Sequence, residues 1–573
     1  MRRVADHEMN RSNGHVPRFP VVPRQAWHGA DLQRLGPFTV RHHLGCAVAS
    51  LLLGLGLTAC EGCRSTGTPP TPPAAAQVGP PTVRLYLVTD LAGALEPCGC
   101  TKDQLGGLDH FGAWVKAEQQ RAPAAVVAAS GPLFFMDDKL EGDRADQDRI
   151  KADAIARVLR GTGLAAFAPG TNDWDDGQPG FDRLVQAAGA PAFGADGTAV
   201  VREVGGLRIG FVGYGQHQAT PVTSGAEDVI RRGVEDAKKQ GAEVLVALVA
   251  VGRGEAKRIA DAVPELTAVV VGGPRSTGDS NTAPPPGEQI GNVVIAQAAN
   301  HLQSVAILDL YVRETPAPGH VLQFADGTGM ELSRKRDELR SRIDELHVRI
   351  AAWERDPAVA PGDVAARRAE LAKLEAERDA LDVKAPPATG SFFRYRLQEM
   401  RPTLGTDPAI EADMAAYYKA VQDHNRVAFA DRVPPPAGPN DASYLGVEAC
   451  ATCHPAPRDV WMSTSHSHAY ATLSRQLKEL NLECVGCHVT GYEQPGGSTV
   501  THVDKLENVQ CEVCHGPGSR HVQNPTDRTR IIASPSTSKC LECHHPPHVE
   551  QFDAAAKMAA ILGPGHGRPL DKK

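Results

Sequence analysis

The spacing of apolar positions divides the chain into unlike segments. Residues 44 to 59 (LGCAVASLLLGLGLTA) are a continuous apolar run behind Arg41, His42 and His43. The run is short for a membrane span and predicts the hydrophobic region of an export signal. Residues 64 to 81 are rich in Pro, Thr, Gly and Ala and predict a tether. From Thr82, short apolar runs predict strands over 83–89, 124–130, 207–213, 243–251, 267–272, 292–297 and 304–311. Helical stretches around 107–120, 147–160, 180–188, 225–240 and 254–262 alternate with them, the pattern of an α/β domain over 82–328.

The spacing then lengthens. Leu332, Leu339, Ile343, Leu346, Ile350 and Trp353 follow a coiled-coil seam, and Asp356-Pro357 and Pro361-Gly362 break it. A second run with Leu371, Leu374 and Leu381 completes an antiparallel helical hairpin over 329–384. It reads as a brace between domains, with a dimerisation arm as the alternative. A helix over about 408–426 lies in a helical linker, 385–443, which ends in Pro434-Pro435-Pro436. The last domain, 444–573, is predicted to be mostly α-helical and irregular.

At 573 residues the chain is too long for one core. A formal net charge of −8 argues against nucleic acid and against a polybasic membrane patch. Leu57-Thr58-Ala59-Cys60 resembles a bacterial lipobox, which makes Cys60 the expected lipidated residue after removal of residues 1–59. A plain cleaved signal or a short anchor are the alternatives. Glu61 follows in place of Asp, which favours an outer-membrane lipoprotein facing the periplasm or cell surface. The 40 residues ahead of the signal make a long leader, compatible with a later start codon.

Eight of the 13 cysteines fall in one repeated pattern: Cys450-x-x-Cys453-His454, Cys484-x-x-Cys487-His488, Cys511-x-x-Cys514-His515 and Cys540-x-x-Cys543-His544. A single Cys-x-x-Cys fits half a zinc site or a redox dithiol. Four copies, each followed directly by His, fit covalent attachment of c-type haem, the thiols joining the porphyrin and the His becoming the proximal iron ligand. Four covalent haems c are therefore expected, and export agrees with attachment outside the cytoplasm. Seven further histidines share this region: His466, His468, His502, His521, His545, His548 and His566. Met462 and Met558 are its two methionines, so His is the expected sixth ligand, giving low potentials.

The first domain resembles the 5'-nucleotidase-like metallophosphoesterases. The residues are Thr89-Asp90-Leu91-Ala92-Gly93, Gly106-Gly107-Leu108 and Gly170-Thr171-Asn172-Asp173, and the likeness runs over about 82–313. It implies two central sheets flanked by helices, with two metals at the strand ends. The ligands do not carry over. Asp90-Leu91-Ala92 stands where the family has Asp-x-His, and Gly131-Pro132 where it has Gly-Asp. Asn172-Asp173 is what remains of the Asn-His motif, Ala250 lies near the position of a later His, and Gly272-Gly273-Pro274-Arg275 replaces Gly-His-x-His. Two metals need a bridging carboxylate and several imidazoles, so a scaffold without phosphoesterase chemistry is expected. Nearby, Cys98-Gly99-Cys100 reads either as a structural disulfide or as a strained, reducible pair.

Residues 444–566 resemble the tetrahaem cytochrome c family of ammonia-oxidising bacteria. The carrying residues are Trp461 with Thr464-Ser465-His466, Cys487-His488-Val489-Thr490-Gly491-Tyr492, Val509-Gln510-Cys511-Glu512, Cys514-His515-Gly516-Pro517-Gly518 and Gly563-Pro564-Gly565-His566-Gly567. The resemblance implies three bis-His irons and one five-coordinate iron. His466 is the first choice of distal ligand, then His502 and His521, then His566; His468, His545 and His548 read as surface or supporting groups. The expected function is electron transfer through the four haems, with a redox partner protein or a small-molecule donor or acceptor. The alternatives are a redox enzyme acting on a small nitrogen or sulfur species at an open haem, and a nucleotidase-like phosphohydrolase.

Overall fold

In β1 (Val83–Thr89), every residue is buried, and alternate side chains serve different cores. Leu85 and Leu87 point one way into a cluster that includes Phe211, Val246 and Val270, while Tyr86 and Val88 point the other way against Phe111 and Trp114. This is the period of two expected of a strand covered on both faces. The computed structural model describes residues 79–570 except 98–103, 122–123, 141, 216–224, 274–279, 315–318, 356–358, 380, 382–386, 546–547 and 550–551. The expected signal, Cys60, most of the tether, Cys98, Cys100, Pro274 and Arg275 lie outside the described residues. All described residues fall in one compact unit, Pro73–Lys573.

Two six-stranded sheets form the first domain. In the first, β1 pairs in parallel with β2 (Ala125–Gly131), which pairs in parallel with β3 (Leu164–Pro169). In the second, β4 (Ala199–Val204) runs antiparallel to β5 (Leu207–Tyr214). Beside β5 lie β6 (Val244–Ala250), β7 (Ala268–Gly272) and β9 (Val293–Ala296), all parallel, with β8 (Glu288–Ile290) as the antiparallel edge. The first sheet continues from β1 through the antiparallel β10 (Ser304–Tyr311).

Apolar faces of the two sheets pack on each other. The outer face of the first sheet carries α1 (Leu108–Arg121), α2 (Ala145–Gly161) and α3 (Gly177–Ala188). The outer face of the second carries α4 (Ala226–Lys239) and α5 (Arg253–Ala262). The result is a four-layer α/β/β/α sandwich. Each fully buried Val, Leu or Phe contributes on the order of 1.5–3 kcal/mol.

Past β10 the chain makes the short β11 (Ala325–Asp326) and then the hairpin, α6 (Met330–Trp353) and α7 (Pro361–Asp379). Leu339, Ile343, Leu346 and Ile350 meet Leu374 in a cluster of their own, so the hairpin's seam is filled by itself. The segment read as a helical linker begins instead with a strand, β12 (Phe392–Glu399), antiparallel to β10 from Tyr311↔Phe392 to Ser304↔Glu399. Its Phe393 and Tyr395 enter the core between the sheets. Arg394 and Arg396 between them hid this alternation within a polar stretch.

After it, α8 (Pro408–Ala428) is capped by Asp407, whose carboxylate accepts from Ala409 N and Ile410 N. Ile410, Met414, Tyr417, Tyr418 and Val421 bury α8 against the first domain. The remaining region is built of short helices: α9 (Val447–Ala451), α10 (Pro455–Met462), α11 (Ala469–Ser474), α12 (Val485–His488), α13 (Cys511–His515), α14 (Ser519–Gln523) and α15 (Ala554–Met558). Its own apolar cluster holds six buried residues, among them Val485, Val489 and Val500. That is a thin core for a domain of this length. No helix among the described residues is long and apolar enough to cross a membrane.

Candidate functional site

Each Cys-x-x-Cys-His motif lies on or beside a helical turn. The amide of His454 donates to Cys450 O at 2.9 Å, and that of His544 to Cys540 O at 2.9 Å. Such a turn places residues i, i+3 and i+4 on one face, so both thiols and the imidazole of a motif project together. None of these eight cysteines is in a disulfide.

Three of the four motif histidines face a second imidazole from a distant part of the chain. His454 faces His521 with ring centroids 6.4 Å apart, His544 faces His466 at 6.2 Å, and His515 faces His566 at 6.2 Å. A metal ion binds imidazole nitrogen at about 2 Å, and the ring centre lies roughly 1 Å beyond, so two rings across one ion are separated by about 6 Å. The three gaps have that size, and the donor set fits haem iron held by two His. Ring orientation supports it. Nδ1 of His488, His515 and His566 lies 2.7, 2.6 and 2.9 Å from the carbonyl oxygens of Ala469, Ile532 and Ile561. A carbonyl can only accept, so Nδ1 carries the proton and Nε2 is left to bind a metal. Burial pushes both His466 and His544 below the usual imidazole range, which favours the neutral form that a ligand requires.

His488 differs: among the described residues it belongs to none of these facing pairs. His502 is held with Nδ1 3.0 Å from Thr501 Oγ1, and His545 and His548 lie edge to face at 5.8 Å.

The motifs approach one another through their cysteines. Cys450 lies within electrostatic reach of Cys511, Cys487 of Cys543 and Cys514 of Cys540. The four sites thus run in the spatial order first, third, fourth, second. Glu512, inside the third motif, locks the first: its buried carboxylate accepts from Leu445 N, Gly446 N and Gly518 N at 2.7–3.0 Å. Trp461 Nε1 donates to Val509 O at 2.8 Å, tying the chain after the first motif to the start of the third. In the sequence Trp461 and Glu512 are marks of resemblance only; the fold makes them struts.

At the strand ends of the first domain, the expected metal-ligand positions hold backbone instead. Asp90 Oδ1 accepts from Gly273 N at 2.7 Å, joining the two sheets. A Cβ at Gly131 would lie 2.2 Å from that oxygen, and the next position, where the resemblance calls for a carboxylate, is Pro132. A Cβ at Gly272 would lie 2.2 Å from Gly131 N, because β2 and β7 abut. Asp173 accepts from Leu133 N, Phe134 N and Gly170 N at 2.8–3.1 Å, and Asn172 Nδ2 donates to Met136 O at 2.7 Å. Burial pushes both Asp90 and Asp173 up to about 7. Among the described residues no group of three or more His, Cys, Asp or Glu could hold a metal ion.

The two regions meet at the second motif. Gln147 on α2 donates to Asn481 Oδ1 at 3.1 Å and accepts from Leu482 N at 3.0 Å and Asn425 Nδ2 at 3.1 Å. Lys151 Nζ lies 2.9 and 3.0 Å from the two oxygens of Glu483, the residue before Cys484, and Arg144 reaches the same carboxylate at 3.4 Å. Glu96 pairs with Lys478, whose ammonium sits 4.5 Å over the ring of Tyr418. These residues had no motif to announce them.

Residues 449–516 match the family model described as cytochrome c554 and c-prime. Cytochrome c-554 of Nitrosomonas europaea is 35% identical over 94 residues, 14% of this chain and 40% of that protein. Among solved structures, a 5'-nucleotidase precursor from Thermus thermophilus is similar with a TM-score of 0.38 and 15% identity, covering 62% of this chain and 61% of that one. The Thermus thermophilus sulfate thiohydrolase SoxB in complex with glycerol gives 0.33 and 14%, covering 41% and 54%. The chain spans less than two thirds of each of these relatives. Its C-terminal region resembles the cytochromes c554.

Proposed function

We propose that this protein is an exported multihaem c-type cytochrome that transfers electrons through four covalently bound haems. The observation that carries the reading is the three facing pairs His454–His521, His544–His466 and His515–His566 at 6.2–6.4 Å. Cys450 and Cys453, Cys484 and Cys487, Cys511 and Cys514, and Cys540 and Cys543 would make the thioether links. His454, His488, His515 and His544 would be proximal ligands, and His521, His466 and His566 distal ones. Haem iron, when bound, supplies one-electron chemistry at potentials lowered by bis-His ligation. The electrostatic neighbours among the motif cysteines support an order of first, third, fourth, second, which would make a row for a relay. Lipidation at Cys60 would anchor the protein at the membrane, facing a redox partner protein or a small-molecule donor or acceptor.

The first domain, in this reading, positions the relay and docks a partner rather than hydrolysing phosphate esters. Asp90 and Asp173 hold backbone amides in place of metal, and Pro132 stands where the bridging carboxylate would be. Cys98 and Cys100, which lie outside the described residues, would form a reducible pair. Release of phosphate from nucleotides, dependent on added manganese or zinc, would restore the phosphohydrolase reading.

A second reading rests on His488, which among the described residues is in none of the three facing pairs. An iron there would keep an open position, and the protein would act on a small nitrogen or sulfur species. Spectra with and without a small exogenous ligand separate the two. A high-spin component that shifts on ligand addition and turns over substrate supports the enzyme. The same component without turnover supports the carrier.

A further inference from the structure

The first domain makes its polar grip on the second motif. The segment 478–485 enters that motif, and α2 and α8 hold it from the other side. Asn425 Nδ2 donates to Leu480 O at 2.7 Å, Gln147 bonds Asn481 and Leu482, and Asn481 O in turn accepts from Cys484 N at 3.0 Å and Val485 N at 2.9 Å. Gln147 and Asn425 are fully buried, so these amides have no competing water. The chain running into Cys484 is therefore fixed by side chains more than 50 residues away in sequence.

Charge is concentrated at the same place. Glu483 is flanked by Lys151 at 2.9 Å and Arg144 at 3.4 Å, with Asp148 bonded to Arg144 and His548 within electrostatic reach. The cations hold the Glu483 carboxyl below the usual carboxylate range against the opposing effect of burial. Lys151 shows 12% side-chain exposure and Glu483 24%, so the pair is poorly screened by solvent. A fixed charge beside a redox iron shifts its potential, because the oxidised iron carries one more positive charge than the reduced one. Charge and burial around such a site are recognised controls of potential.

We infer that Lys151 and Glu483 are positioning residues for the second site: this interdomain ion pair sets the redox potential of the iron held by His488, apart from the other three. The inference rests on the four-haem reading above. It gives the first domain a role in tuning one member of the relay, which a passive docking module would lack.

The test is a spectroelectrochemical titration of the full-length, haem-loaded protein and its variants, with haem content measured on each sample. Lys151→Met leaves the carboxylates less compensated, so one of four midpoints moves to lower potential. Glu483→Gln leaves the cations less compensated, so the same midpoint moves to higher potential. Lys151→Arg retains the charge and the wild-type midpoint, and the double variant Lys151→Met/Glu483→Gln returns towards it. Arg144→Gln, at a more exposed position, gives a smaller downward shift and serves if Lys151→Met does not mature. Opposite signs at one midpoint are what loosening of the fold alone would not produce. Four haems with four unmoved midpoints, or both single variants moving the same way, overturn the inference. Fewer than four haems in the wild-type protein would count against the underlying reading instead.

Discussion

The ring of His521 faces that of His454 across 6.4 Å, with the two planes inclined by 22°. One imidazole belongs to a Cys-x-x-Cys-His motif and the other to α14, and the gap between them fits one metal ion. His521→Ala should convert that iron to a five-coordinate, high-spin state while the thioether links keep the haem count unchanged. His466→Ala and His566→Ala should act alike at the fourth and third sites, and His502→Ala should leave the spectrum as it was. A His502 variant that gains high-spin signal would reassign the ligands.

The buried amides at the domain boundary should matter for stability. Gln147→Leu removes one hydrogen bond each from Asn425 and Asn481, which keep Leu480 O and Glu483 N as partners, and leaves Leu482 N without its acceptor. A buried polar group left without a partner costs about 1–3 kcal/mol, so a loss of about that size is expected. Denaturation followed at the haem absorbance and by far-ultraviolet circular dichroism would show it. A midpoint equal to wild type would mean the boundary opens without cost.

Much of this architecture was legible because its signals are local. The all-apolar runs of β1 and β6 and the heptad-like Leu339, Ile343, Leu346 and Ile350 report their own burial. The Cys-x-x-Cys-His motifs report their own chemistry. β12 was hidden because Arg394 and Arg396 interrupt its apolar positions, and its place is set by pairing with β10 across the whole hairpin. Likewise β3 (LAAFAP) was passed over, being short, Ala-rich and ended by a proline. Distal ligands could be shortlisted but not paired, since His466 meets His544 only through tertiary folding. The Lys151–Glu483 pair had no sequence signal of any kind.

Two buried carboxyls give the first domain a pH dependence. Burial pushes Asp90 and Asp173 up to about 7, whereas in the unfolded chain both titrate near 3.8. Across that window the folded state holds protons that the unfolded state has released. Stability therefore falls as pH rises from about 4 to about 7, and levels off above it. Asp90→Asn keeps an acceptor for Gly273 N and is suited to the left-handed φ of 49°. The variant should show a smaller difference between denaturation midpoints at about pH 5 and about pH 8. An undiminished difference would place the titration elsewhere.

The hairpin should unfold alone. Leu346 lies in the seam between α6 and α7, a cluster separate from the sandwich cores. Leu346→Asp puts an unpaired charge there and should cost several kcal/mol locally. Helical signal and protease resistance over 330–381 should fall while haem content stays constant. Loss of haem together with the hairpin would show that the brace is required for maturation.

The central claim is most directly tested by counting haem and other metals, and reading spin state, on the full chain matured in a host competent for cytochrome c assembly. The account predicts four covalent haems, three of them low-spin and six-coordinate and one with an open position, and no stoichiometric zinc, manganese or non-haem iron. Fewer than four haems, or about two additional metal ions per chain, would contradict it.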